Sequence, residues 1–415
     1  MFLRQLSAFI FMALAFPAAG QEDDSYTRYE LLDPAFQAFR ILYDVTATQP
    51  GATKYFNTLR KGSTHKVDGV TDKMTGRQLK WTIVSGAEAK KAGHPTASED
   101  TDYIQAELAR PVTPGGEYRL LIDKTYTDPK SYFMKEDRVV FDRTLGVRRN
   151  AVVLPKGYEV VRCNYPVQVY MEPDGRLNLS FLNVGPSDVP LHVEARKLPP
   201  SAVLDQSSSN PQGPDAPGQG RDKSKARVNY TVQERARQTR EIVYFLQQPE
   251  THAFRLYHDY TETRPGTDRY INVVRAGSKA SNPSAKILDT GKELEVETLT
   301  GEAIAKRGID IGEPVTPTSE VVAIWFDPVA PGQSIRLRIE ETYTDHNRYL
   351  LSGSDLVFDR SFGRPFNKVI LPEGWFLSAN AVPATIDLTE DGNVSLFYVN
   401  GGPDEIDVFI KARKR

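Results

Sequence analysis

Apolar and polar side chains alternate along much of this chain in short runs. Ile335, Leu337 and Ile339 alternate with Arg336, Arg338 and Glu340, and Ile406, Val408, Ile410 and Ala412 alternate with Asp407, Lys411 and Arg413. Leu191, Val193 and Ala195 repeat the pattern. A period of two sends successive side chains to opposite faces, so these runs predict strands with one face in a core and the other in water. Turn signals separate them: Asp174-Gly175, Asp391-Gly392, Pro114-Gly115 and Pro331-Gly332. Asp-Gly between strand-like runs marks a hairpin, because the tight turn needs positive φ. A helical period shows only around 233–246, and residues 228–248 read either as a short helix or as a lead-in strand. Many short strands with turns between them predict an all-β fold of the sandwich kind, as two packed sheets or as a sandwich with an extra sheet-like subdomain.

The pattern occurs twice. Thr-Tyr-Thr-Asp at 125–128, Val-Phe-Asp-Arg at 140–143 and Leu-Pro at 154–155 return at 342–345, 357–360 and 371–372, a shift of 342 − 125 = 217. Earlier in the chain the shift is 215, as in Tyr29/Tyr244, Phe39/Phe254, Tyr55/Tyr270 and Gly86/Gly301. The second copy therefore gains two residues between Gly301 and Pro331. A length change belongs in a surface loop, and 87–102 is predicted to be one. The chain divides into a signal peptide (1–20), a first β-sandwich unit (29–198), a linker (199–227) and a second unit (244–415). Each unit is about 170 residues, an ordinary domain size. The linker is rich in Pro, Ser, Gly, Gln and Asp. Such a composition buries too little surface to offset its ordering entropy and predicts a flexible tether.

Composition narrows the function. The 52 basic and 54 acidic side chains leave a formal charge of −2, which argues against nucleic acid as a partner. A positive start (Met1–Arg4), an apolar run and small residues at Ala18-Ala19-Gly20 predict a signal peptide cleaved near Gln21, hence a periplasmic or secreted protein. No later stretch is apolar enough to cross a membrane as a helix. The single cysteine, Cys163, forms no intramolecular disulfide and aligns with Asn380, so it reads as a small packed residue.

Repeated polar positions are the candidates for chemistry. Tyr126 and Asp128, returning as Tyr343 and Asp345, would suit a sugar ring or peptide; the commoner use is a strand end and Asx-type turn with the Tyr packed. Asp142-Arg143 and Asp359-Arg360, with Asn150 and Asn367, place one charge inward and one outward, for a ligand or for buried backbone groups. Asp44, Thr46, Tyr55 and Asn57, matching Asp259, Thr261, Tyr270 and Asn272, flank Pro50-Gly51, read as a hairpin whose paired strands would share a polar face. No histidine spacing fits a metal site, no nucleophile elbow or phosphate loop occurs, and no cofactor is expected.

The run from Asp44 through the Pro-Gly-x-x-x-Arg-Leu strand (114–120 and 331–337) resembles, over about half of each unit, the N-terminal β-sandwich of M1-family aminopeptidases, in which a hydrophobic strand follows a Pro-Gly turn. The resemblance implies that non-catalytic domain alone, without the zinc helix, and transfers no functional residue. The half of each unit from Val-Phe-Asp-Arg through Leu-Pro to Asp-Gly resembles duplicated domains of exported bacterial proteins. The sequence reading is a non-enzymatic binding or scaffolding protein of the bacterial envelope, its partner an envelope protein, a peptide or a glycan. Two like units on a tether would raise avidity. The alternative is a secreted hydrolase of glycan or peptide with its site in a groove of, or between, the units.

Overall fold

A computed structural model describes residues 25–185, 187–199, 232, 234–275, 277–312, 314–382 and 384–414. The segment read as a signal peptide (1–20) and the segment read as a linker beyond residue 199 lie outside the described residues. The first unit contains β1 (Tyr26–Leu31), β2 (Ala38–Ala47), β3 (Lys54–Thr58), β4 (Thr64–Asp72), β5 (Trp81–Ser85), α1 (Gly86–Lys91), β6 (Asp102–Glu107) and β7 (Tyr118–Thr127). It continues with β8 (Tyr132–Lys135), β9 (Arg138–Leu145), β10 (Arg149–Val153), β11 (Tyr158–Cys163), β12 (Gln168–Met171), β13 (Leu177–Leu182) and β14 (Val189–Lys197).

The second unit repeats this order. It runs β15 (Glu241–Leu246), β16 (Ala253–Glu262), β17 (Arg269–Val273), β18 (Ser278–Ile287), β19 (Glu295–Thr300), α2 (Glu302–Lys306) and β20 (Glu320–Trp325). Then come β21 (Ile335–Asp345), β22 (Tyr349–Ser352), β23 (Asp355–Phe362), β24 (Phe366–Ile370), β25 (Trp375–Asn380), β26 (Thr385–Leu388), β27 (Val394–Val399) and β28 (Ile406–Lys414).

Each unit is three sheets, and the two sets match strand for strand. A seven-stranded sheet runs β12-β13-β10-β1-β2-β7-β4 in the first unit and β26-β27-β24-β15-β16-β21-β18 in the second. A four-stranded sheet (β11-β14-β9-β8; β25-β28-β23-β22) and a three-stranded sheet (β3-β6-β5; β17-β20-β19) complete each. Within the large sheets β1 pairs parallel with β10 and β15 with β24; the other pairings are antiparallel. The all-β, two-unit reading therefore holds, in the form with an extra small sheet.

The first core lies between the seven- and four-stranded sheets. Phe39 and Ile41 of β2 meet Tyr132 of β8, Phe141 of β9 and Leu191 and Val193 of β14, and the small sheet adds Ile104 and Ala106. Phe254, Tyr349, Phe358, Val408 and Ile410 do the same in the second unit. The Asp-Gly hairpins are present: β12 pairs with β13 around Gly175 (φ 82°), and β26 with β27 around Gly392 (φ 75°).

Three sequence expectations are corrected. Pro50-Gly51 does not close a hairpin: β2 pairs with β1 and β7, whereas β3 pairs with β6 in another sheet. Gly51 (φ 77°) turns the chain from one sheet to the next, and its N–H is taken by Val112 O. The stretch 87–102 is not wholly loop, because Ser85 caps α1: its Oγ accepts from Glu88 N and the Glu88 carboxylate accepts from Ser85 N. The polar positions of the β21 run do not all face water. Arg336 is 2% exposed, because that face of the large sheet meets the other unit. The lead-in before the second unit resolves as a turn at 235–237 followed by strand β15.

Candidate functional site

The residues at the entry to β7 and β21 set the two units against each other. Glu117 and Arg119 correspond to Ser334 and Arg336 at the 217 shift. Glu117 of the first unit meets Arg336 of the second (3.0 Å), and Arg119 of the first donates to Ser334 Oγ of the second (3.2 Å). The same surface patch is used on both sides with roles exchanged, the self-complementary arrangement of an isologous interface. Arg119 also grips the Asp289 carboxylate through Nε (2.9 Å) and Nη2 (2.8 Å), and Ser334 Oγ donates to Lys73 O (2.7 Å). Beside this polar patch Tyr26, Ala151 and Leu182 of the first unit pack with Ala236 and Phe366. Arg235 ties the lead-in to both units: its backbone N–H donates to Gln168 Oε1 and its guanidinium to Asn400 O.

A cavity of about 400 Å³ lies at this junction. The first unit lines it with Asp44, Thr46, Asp72, Lys73, Arg119 and Arg149, and the second side supplies Arg237, Thr239, Thr261, Thr263, Ser334 and Arg336. Its two carboxylates are engaged. Asp44 pairs with Lys73 (3.0 Å), and Asp72 accepts from Arg110 (3.0 Å) and the Tyr118 hydroxyl (2.9 Å). Burial pushes the Asp72 carboxyl up, but Tyr118, Arg110 and the Met74 N–H outweigh it and hold it below the usual carboxylate range. Arg237 is exposed and makes no hydrogen bond or ion pair among the described residues.

Most of the residues singled out from sequence fall elsewhere. Tyr126 is buried, and its hydroxyl accepts from Arg60 N. Asp128 accepts from Ser131 Oγ and from the backbone of Lys130 and Ser131, an Asx-type turn. Arg143 points inward from β9, 3.3 Å from Asp128 and over the rings of Tyr29, Phe39 and Tyr126. Arg360 repeats this over Tyr244, Phe254 and Tyr343, 3.8 Å from Asp345. The structure thus brings Tyr126, Asp128 and Arg143 together, and Tyr343, Asp345 and Arg360, inside their units. Asp142 and Asp359 point outward; Asp142 accepts from or pairs with His192 (2.9 Å). Asn150 and Asn367 are fully buried, donating to Val147 O and Arg364 O. The polar set around Pro50-Gly51 is split: Asp44, Thr46 and Thr261 line the junction cavity, whereas Tyr270 and Asn272 line a small cavity within the second unit.

Arg119, Arg336, Asp72, Asp289, Lys73 and Arg237 were not identified from sequence. The one signal available was the recurrence of Arg119 and Arg336 inside Pro-Gly-x-x-x-Arg-Leu, and a repeated arginine on an alternating strand reads as a solvated face.

No protein-family model matches the chain, and no curated protein matches it. Among solved structures it is similar to an M1 zinc metallopeptidase from Deinococcus radiodurans, at 13% identity over 41% of this chain and 41% of that one, with a TM-score of 0.28. It is similar also to an aminopeptidase N family protein from Idiomarina loihiensis, at 9% identity over 41% of this chain and 29% of that one, with a TM-score of 0.26. The chain spans less than half the length of either protein. These neighbours are of the family that the Pro-Gly-x-x-x-Arg-Leu strand resembles; the likeness is distant, and no residue's role is carried over from it. Among the described residues no helix is long and apolar enough to cross a membrane.

Proposed function

We propose that this is an exported bacterial protein that binds a polar ligand, without turning it over, in the cavity at the junction of its two units. The observation that carries the reading is the lining of that cavity. Hydroxyls from Thr46, Thr239, Thr261 and Thr263 surround it, its carboxylates are engaged in ion pairs, and Arg237 is an uncommitted cation at its wall. A general acid needs a carboxyl that keeps its proton near neutrality, and Asp72 is shifted the other way. The same set supplies donors and acceptors for a carboxylate-bearing glycan fragment or a peptide terminus, with Arg237 as the counter-ion. Export rests on the charged, apolar and small-residue pattern of residues 1–20, and predicts a mature chain starting at Gln21, which intact mass reads directly.

The test is a thermal-shift and calorimetric titration of the full mature chain with acidic glycan fragments and short peptides. At about 100 times its dissociation constant, a ligand confined to the native state adds roughly 2.7 kcal/mol. A saturable shift that Arg237→Glu abolishes is the expected result. Silence across the panel, or a shift that Arg237→Glu leaves intact, rules the cavity out as the binding site.

A further inference from the structure

The second unit contains a separate cavity of about 90 Å³, between β16, β17 and β21. Three buried polar atoms among its lining residues have no hydrogen-bond partner: His258 Nε2, Glu341 Oε1 and Arg360 Nη1, the last with only the Asp345 carboxylate at 3.8 Å as an ion-pair partner. His258 and Glu341 are 7% and 1% exposed. Buried polar atoms are normally satisfied, and three atoms without a hydrogen bond on one cavity call for a guest that supplies the missing bonds. The neighbouring groups of the same three residues are arranged. The Tyr270 hydroxyl lies 3.5 Å from His258 Nδ1, and Asn272 Nδ2 donates to Glu341 Oε2 and to the Tyr343 hydroxyl, both at 2.7 Å. A Tyr270 hydroxyl donating to Nδ1 leaves the proton of a neutral imidazole on Nε2, directed at the guest.

The surrounding charge specifies the sign of the guest. Arg240 is 3% exposed, lies over the Tyr260 ring at 4.2 Å, and leaves its Nε and Nη1 without partners. Arg364 makes no side-chain hydrogen bond or ion pair among the described residues; burial and the nearby Arg240 pull its guanidinium down to about 10. Burial first, and then Arg240 and Arg364, hold His258 well below the usual imidazole range, so it stays neutral. Buried cations are ordinarily paired, and Arg240 makes no side-chain hydrogen bond or ion pair among the described residues; Arg364, beside it, is half-buried and likewise unpaired there. We propose that the second unit holds a small oxyanion, an organic carboxylate or an inorganic ion, in this cavity, bound by His258 Nε2–H and Arg360 Nη1 and favoured by Arg240 and Arg364.

Glu341 completes the site. Burial raises its carboxyl to about 7, so at and below neutrality its proton is available from Oε1. The titratable or charged groups that face it are Glu320 from β20, Tyr343 from its own strand, His258 from β16, Tyr270 from β17 and Arg360 from β23. The first unit lacks the site. Glu341, His258, Arg240 and Arg364 correspond there to Lys124, Tyr43, Ser25 and Val147, and Lys124 Nζ already donates to Asn57 Oδ1.

The proposal is tested on the full mature chain with sodium formate, acetate, nitrate and phosphate, each balanced against chloride at constant ionic strength. Tm is followed, and binding of ¹³C-formate is read directly by NMR line broadening. The expected result is saturable binding of at least one anion, weakened by about tenfold or more in His258→Gln and Arg364→Gln, the loss of one charge-assisted hydrogen bond or counter-charge. Weakening by His258→Gln and Arg364→Gln, at residues that do not line the junction cavity, separates this site from the cavity between the units. A response to formate and acetate alone supports a carboxylate guest; a response to nitrate or phosphate alone supports an inorganic one. If either variant fails to fold, Tyr270→Phe, which keeps the ring, should weaken the same binding. No saturable response to any of the four, or equal binding by wild type and variants, overturns the proposal and leaves water as the occupant.

Discussion

Lys124 and Glu341 occupy the same place in the two units, 341 − 124 = 217, and carry opposite charge. Each is bonded to the equivalent asparagine, Asn57 or Asn272. Burial acts on both in the direction of the neutral form: it lowers the Lys124 ammonium to about 7 and raises the Glu341 carboxyl to about 7. Their effects on stability have opposite signs. For Glu341 the native state holds a proton that the unfolded state releases above pH 4.5, so stability is full below that value and falls as pH rises to about 7. The shift corresponds to about 3 kcal/mol. For Lys124 the unfolded state binds the proton between about 7 and 10.5, so stability rises with pH across that window. Glu341→Gln should therefore flatten the fall between pH 4.5 and 7 in urea-unfolding free energies while leaving the rise above pH 7. An unchanged acid-side slope would mean that Glu341 is ionised in the native protein.

At the scale of elements, the turn between β4 and β5 is what lets the units approach. Gly76 has φ 70°, and a Cβ there would lie 2.7 Å from the carbonyl oxygen of Gly332 in the other unit. Gly62 has φ 78° and open space around the same position. The two glycines separate backbone strain from contact. Gly62→Ala should cost about 1 kcal/mol from the left-handed backbone alone. Gly76→Ala should cost more and should also weaken the junction, seen as separate unfolding transitions in calorimetry. Equal costs and a single transition in both variants would show that the Gly76–Gly332 approach contributes nothing. The strands themselves were legible in sequence where one face is apolar and the other wet, as in β14 and β28. The alternation of β21 does not mean a wet face, because near Arg336 both faces are buried, one against the core and one against the partner unit; β7 is buried likewise near Arg119. Alternation reports two unlike faces, not which surroundings each one meets.

The whole molecule is two copies of one fold that meet at a buried junction. The buried Arg119–Asp289 pair, the Glu117–Arg336 pair and the apolar cluster around Ala236 cross the junction. Removing one member of a buried pair leaves an uncompensated charge and costs about 3–5 kcal/mol. Asp289→Ala should thus destabilise the chain by that order, whereas Arg119→Met combined with Asp289→Leu should recover much of the loss. Cutting the chain between 199 and 227 should leave halves that still co-elute in size exclusion, and Asp289→Ala should separate them. Halves that part at once in wild type would show that the junction is too weak to hold without the covalent link.

The sequence by itself determined the duplication, the all-β class, the hairpins at Gly175 and Gly392, and the Asx-type turns at Asp128 and Asp345. Each of these is local: a period of two, a residue that tolerates positive φ, a carboxylate two or three positions from the backbone N–H it accepts. The three-sheet layout, the split of β2 and β3 between sheets, the junction and both cavities were decided by tertiary structure. They depend on side chains far apart in the chain, such as Arg119 with Asp289 and His258 with Arg240 and Glu341, whose charges become costly or useful only once folding removes them from water.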